Sequence, residues 1–177
     1  MKQLLLLRHA KAESEPSPGD FDRPLSPRGK RDATAMGAIL RRRALIPQLV
    51  LCSPSVRTRS TLALLAPALG EPSIRIEDSL YLASWKEIFV RLVALEARIN
   101  RVLVIGHNPG LGDCAAMMLN SEADREERAR RTLMAAKFPT CALAVIELPL
   151  FSAWAAIAPK SGTLSAFLRP KDLPGLR

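Results

Sequence analysis

The sequence predicts an α/β fold: a three-layer α/β/α sandwich around a mainly parallel central sheet of about six strands, one of them antiparallel. Three observations predict it. Short apolar runs alternate with helical patterns along most of the chain, the order of a parallel sheet covered on both faces. The first run, Leu4–Leu7, is apolar without alternation, as a strand buried on both faces must be. The last two runs have no helical pattern between them, so one of them opposes the rest.

Leu4–Leu7 is the first strand. The segment 14–24, SEPSPGDFDRP, is rich in Pro and Asp and is expected to be a mobile loop. Ser26 then caps a helix over about Pro27–Arg43, with Pro27 at its first position, where a missing N–H is harmless. LVLCS at 49–53 is the second strand, and residues 55–69 form a helix that stops near Gly70. SIRIE at 73–77 is the third strand. From Ser84 to Asn100, the residues Trp85, Ile88, Phe89, Leu92, Leu95 and Ile99 recur at helical spacing, which predicts an amphipathic helix over the whole stretch. RVLVIGH at 101–107 is the fourth strand, followed by a helix over about Pro109–Leu119. Residues 121–136 read as one more short helix, and residues 120–139 as either a lid or a surface element. CALAVIEL at 141–148 and GTLSAFL at 162–168 close the series as strands.

Composition narrows the function. Residues 1–177 suit one domain, with 48% apolar residues to build its core. The first apolar run is far shorter than the roughly 7–15 residues of a signal-peptide core. No run approaches the roughly 20 residues of a membrane span. A soluble, cytoplasmic protein without a membrane partner is expected. The net charge of +9 suits an anionic substrate. It does not suit nucleic acid. LRRRA at 40–44 closes a predicted helix, where cations favour the dipole, and DREERARR at 124–131 interleaves both signs as a solvated face does. One tyrosine and two tryptophans leave little surface for stacking bases. Cys52, Cys114 and Cys141 are odd in number and widely spread, so they read as small core residues rather than disulfides or zinc ligands.

The chemistry gathers at strand carboxyl ends, where open α/β sheets bind ligands. The first strand delivers Arg8 and His9, the second Ser53 with Arg57 one helical turn on, and the fourth His107 and Asn108. These are the only two histidines of the chain. Arg8 and His9 are adjacent, so the chain must bend there for both to face one pocket. Arginines bind phosphate in bidentate fashion and lower the pKa of a neighbouring histidine by repulsion. A neutral imidazole beside bound phosphate is a nucleophile for phosphorus. A second histidine can donate to the oxygens of the transferring group, and the N–H groups of GHNPG add an anion site at a helix start. Cys52 and Arg57 lie one residue too close for a cysteine phosphate loop, and Gly106, Gly110 and Gly112 lack the Gly-Lys-Ser/Thr of a nucleotide loop. Two histidines without a matching carboxylate pattern do not make a metal cage, so no metal or other cofactor is expected.

Four segments in order resemble the histidine phosphatase superfamily, which also contains the phosphoglycerate mutases. LLLLRHAKAE at 4–13 resembles its arginine-histidine motif, and RPLSPRGKRDA at 23–33 its Leu-Ser/Thr-x-x-Gly segment. CSPSVRTRST at 52–61 resembles its Ser-Pro-x-x-Arg-x-x-x-Thr motif, and VIGHNPGL at 104–111 its second-histidine motif. The short length, the Arg-His-Ala variant, FPTCALAVIEL at 138–148 and the lack of a large helical insertion look like the SixA-type phosphohistidine phosphatase branch.

The resemblance implies that His9 is the phosphorylated nucleophile, with Arg8, Arg57 and His107 as the other catalytic, phosphate-binding residues. Arg23 matches a further phosphate-binding arginine, although beside Asp20 and Asp22 it also fits a surface ion pair. Asn108 joins the phosphate-binding set. Many relatives carry a carboxylate acid after the third strand. Here Glu77, Asp78 or neither fills that role, because a phosphohistidine leaving group needs little acid assistance. The implied activity is metal-independent hydrolysis of phosphohistidine on a signalling protein of the histidine-phosphotransfer type. A phosphatase for small phosphate esters or sugar phosphates is the second reading, and a non-catalytic phosphate or phosphoprotein-binding module the third. The sequence sets neither the physiological substrate nor the oligomeric state.

Overall fold

The computed structural model describes residues 1–14, 19–149 and 153–173. Strands β1 (Lys2–Arg8), β2 (Leu49–Cys52), β3 (Ser73–Ile76), β4 (Arg101–Gly106), β5 (Leu143–Leu148) and β6 (Thr163–Leu168) form one sheet in the order β3-β2-β4-β1-β5-β6. All run parallel except β5, which opposes both β1 and β6. Helices α1 (Pro27–Arg42), α2 (Val56–Leu69), α3 (Trp85–Val93), α4 (Gly110–Met118) and α5 (Arg125–Ala136) cover its faces.

The unbroken leucine run has a direct cause. β1 is central, and its side chains alternate between two cores. Leu4 and Leu6 pack with Ile88 of α3, Leu111 of α4 and Met134 of α5. Leu5 and Leu7 pack with Met36 of α1 and Leu65 of α2 on the opposite face. All four leucines are fully buried.

The Leu-Ser-x-x-Gly segment fixes α1 to the chain that leaves β1. Ser26 Oγ accepts the Gly29 N–H at 3.1 Å, and Ser26 N–H donates to the Lys11 carbonyl at 2.9 Å. Gly29 lies so close that a Cβ there would sit 2.0 Å from the Lys11 oxygen.

Three expectations need correction. The helix expected over 84–100 ends at Val93. Beyond it, side chains capture the backbone carbonyls: Lys2 Nζ donates to Ala97 O and Ile99 O at 2.7 Å each, and Trp154 Nε1 donates to Ile99 O at 2.7 Å. Leu95 is still buried, so apolar spacing continues where the helix does not. Second, the stretch 124–131 is not a wholly solvated face. Glu127 is 3% exposed, pairs with Arg131 at 2.5 Å and accepts the Leu164 N–H at 2.7 Å. Arg130 Nε donates to the Leu164 carbonyl at 3.0 Å, so α5 covers the edge of β6 and is a surface helix, not a lid. Third, of the loop expected to be mobile, residues 15–18 lie outside the described residues, while Asp20–Asp22 form a 3-10 turn fastened to the site.

The three cysteines are buried thiols, as expected of core residues, and burial pushes Cys52 and Cys114 up to about 12. Among the described residues no helix is long and apolar enough to cross a membrane.

Candidate active site

β1 and β4 end side by side, with Arg8 in register with Gly106. His9 N–H still donates to the Gly106 carbonyl at 3.1 Å, and then the chain turns. The Cys141 N–H holds that turn, reaching both the Arg8 and His9 carbonyls at 3.0 Å. This is the bend that two adjacent site residues require. His9 Nδ1 lies 2.8 Å from the Ala10 carbonyl. A carbonyl only accepts, so Nδ1 carries the proton and Nε2 keeps its lone pair. The next N–H, of Ala10, donates to Thr61 Oγ1 at 3.0 Å, and Thr61 in turn donates to the Arg57 carbonyl at 2.7 Å.

His107 follows β4. Its Nδ1 lies 3.3 Å from Arg57 Nη2, and its Nε2 lies 2.8 Å from Ser53 Oγ. A guanidinium only donates, so Nδ1 accepts and Nε2–H points to the serine. The two histidine rings stand 5.3 Å apart at 54°. Arg57 also grips Asp20: Nη1 donates to the Asp20 carbonyl, and Nη2 to Oδ2 at 2.8 Å. Arg23 donates to Asp20 Oδ1 at 3.0 Å, and Tyr81 Oη donates to Oδ2 at 2.9 Å. Arg8 Nη1 and Asn108 Nδ2 both donate to the Phe138 carbonyl, at 2.9 and 3.1 Å.

These side chains surround an open cleft of about 380 Å³. Arg8, His9, Arg23, Arg57, His107 and Asn108 all line it, so the fold brings every phosphate-binding candidate together. Arg8 Nε and Arg57 Nε are buried donors with no hydrogen-bond partner among the described residues. Donors of this kind are costly unless a ligand uses them.

The electrostatics keep both imidazoles neutral. Burial first, and then the charges of Arg57, Arg8 and Arg23, bring His9 down to about 4 against the pull of its bond to Ala10. Burial again leads for His107, joined by His9 and Arg57, and brings it to about 3. Repulsion from arginine is therefore real but second to desolvation. Burial alone would raise the Asp20 carboxyl; the bonds from Tyr81, Arg57 and Arg23 outweigh it and hold the group down at about 2.

Neither Glu77 nor Asp78 lines the cleft. Glu77 pairs with Arg91 at 3.2 Å, and Asp78 begins a 3-10 turn over Asp78–Leu80. The carboxylate that does reach the cleft is Asp20, which the sequence offers only as an ion-pair partner of Arg23. The sequence places Ser53 at a strand end without giving it a role, and it marks neither Thr61 nor Tyr81 as a separate site residue. Ser53 and Thr61 are the serine and threonine of the Ser-Pro-x-x-Arg-x-x-x-Thr segment, and their placement explains the spacing: one orients His107, the other the backbone after His9. Nothing in the sequence marks Tyr81, whose ring meets His107 edge-on at 5.5 Å.

The pattern of the histidine phosphatase superfamily (branch 1) matches residues 4–87. An uncharacterized protein of Mycobacterium tuberculosis is 32% identical over 165 residues, which cover 93% of this chain and 100% of that one. A SixA structure from Nakamurella multipartitia superposes with a TM-score of 0.82 at 32% identity over 96% of each chain. One from Agrobacterium tumefaciens gives 0.77 at 28% identity, over 96% of this chain and 98% of that one. The order of the motifs, the convergence of their residues on one cleft and these likenesses agree, and the chain belongs to the histidine phosphatase superfamily.

Proposed function

We propose that the protein is a metal-independent phosphohistidine phosphatase that acts on a protein substrate through a phosphoryl group carried on His9. The observation that carries this reading is the His9 imidazole, with its proton fixed on Nδ1 by Ala10 and its Nε2 without a hydrogen bond among the described residues, in a cleft shared with three arginines. In the first step Nε2 attacks phosphorus. A bond from phosphorus to His9 forms as the bond to the substrate imidazole breaks, and that imidazole leaves as a neutral molecule once protonated. Arg8, Arg57 and Arg23 take up the charge of the equatorial oxygens, with the unpartnered Nε donors of Arg8 and Arg57 among the available contacts. In the second step water attacks the same phosphorus, inorganic phosphate leaves and His9 returns neutral. His107 lies beside His9, and its Nε2–H, held by Ser53 before substrate binds, is the donor it offers to the phosphoryl oxygens.

Two features favour a protein substrate. The cleft is open, and α5 packs on β6 rather than over it. The positive balance of the chain attracts an acidic partner. Asn108 serves the site indirectly in this reading, by fixing the Phe138 carbonyl that also holds Arg8.

The test is phosphoenzyme trapping. The wild type should carry an acid-labile phosphate on His9, and His9→Ala should lose both label and turnover while keeping its circular dichroism spectrum. An acid-stable label on a serine would overturn the mechanism. Chelation with EDTA should leave the rate unchanged, because the three arginines of the cleft supply the positive charge.

A further inference from the structure

Behind Thr140, which lines the catalytic cleft, lies a second cavity of about 220 Å³. Arg28, Lys137, Arg169 and Lys171 supply four cations to its wall. Two of them are already engaged. Asp172 fills the fork of Arg169 with contacts of 2.5 and 3.0 Å, and Asp32 lies 3.6 Å from Arg28. Lys137 and Lys171 are exposed and pair with no carboxylate among the described residues. Pro139 and Pro170 stiffen the same wall, since proline fixes its own backbone torsion.

The wall between the two cavities is part of the catalytic framework. Its Phe138 carbonyl receives Arg8, and its Cys141 N–H holds the turn at Arg8 and His9. Thr140 lines both cavities, so the lysines border the same wall as the cleft at His9. A lysine is a compact charge on a flexible stem, without the planar fork that reads a phosphate bidentately. That suits carboxylates arriving in varied geometry, while of the two guanidinium groups present Arg169 is held by Asp172 and Arg28 lies beside Asp32.

The geometry points to a docking subsite for acidic side chains of the protein substrate, carried close to its phosphohistidine and received by Lys137 and Lys171. This rests on the phosphohistidine reading above and adds to it the surface chemistry of the substrate.

The experiment compares wild type with the double variant Lys137→Glu/Lys171→Glu on two substrates: a phosphorylated histidine-phosphotransfer domain and para-nitrophenyl phosphate. Both lysines are exposed, so the core is untouched. At low salt the specificity constant for the phosphoprotein should fall about tenfold, and the gap should narrow as salt screens the charges. Turnover of the aryl phosphate should stay the same. An equal loss on both substrates, or no loss on the phosphoprotein, overturns the subsite. If the wild type does not turn over the phosphoprotein at all, the substrate reading fails on its own. The subsite is then judged by titrating a short Asp/Glu peptide and following amide shifts at Thr140 and Lys171. Shifts in the wild type that vanish in the variant support it; none in the wild type overturns it.

Discussion

Asp20 sets a carboxylate and a carbonyl on the guanidinium of Arg57, the same group that would grip a transferred phosphoryl. Phosphate and Asp20 thus compete for one cation, and Asp20 also keeps Arg57 turned toward His107. Asp20→Asn should tighten inhibition by inorganic phosphate about fivefold, since one negative charge leaves the cradle. It should not raise kcat, because the grip on Arg57 weakens as well. Inhibition constants and kcat at fixed salt check both. Arg57→Lys should cost about 10²–10³ in kcat, since a lysine cannot meet Asp20, His107 and phosphate at once. The histidines and arginines were legible because strand ends and motif spacing announce them. Asp20 was not, because its partner Arg57 lies 37 positions away and only the folded loop shows that they meet.

At the scale of elements, local signals were strongest where a side chain serves its own neighbourhood. Ser26 caps α1 as its spacing foretold, and strand ends fell close to their apolar limits. The end of α3 was hidden, because Lys2 and Trp154, both distant in sequence, take its following carbonyls. Gly29 gives the sharpest test of how elements meet. With its would-be Cβ 2.0 Å from backbone that cannot yield, Gly29→Ala should destabilise the protein by about 3 kcal/mol. Gly112, whose nearest atom is 3.8 Å from that position, lies inside α4, and Gly112→Ala should be neutral or stabilise by up to about 1 kcal/mol. Urea midpoints of the two variants read the contrast.

For the molecule as a whole, the buried histidines set the response to acid. Both are neutral in the fold, while an unfolded histidine takes a proton near 6.5. Below that pH the unfolded chain binds more protons, so stability falls with falling pH, through a window that closes near the folded values of about 4 and 3. Asp20 adds a second loss, as pH falls from the ordinary carboxylate range toward about 2. The thermal midpoint should therefore be level between about pH 7 and 8 and decline below about 6.5. His107→Gln should flatten that slope in differential scanning calorimetry across the same range.

The position of β1 in the sheet has a consequence for how the chain is made. Gln3 stands in register with Arg101 on one side and Glu147 on the other, 98 and 144 positions later. At roughly 5–20 residues per second, the earliest strand waits about 7–30 s for its last neighbour to be synthesised. The cleft cannot assemble before then, because Cys141 holds the turn at Arg8 and His9. During the last part of that interval α1, α2 and β4 are already made, and the edge of Leu4–Leu7 that β5 will cover is the one still without a partner strand.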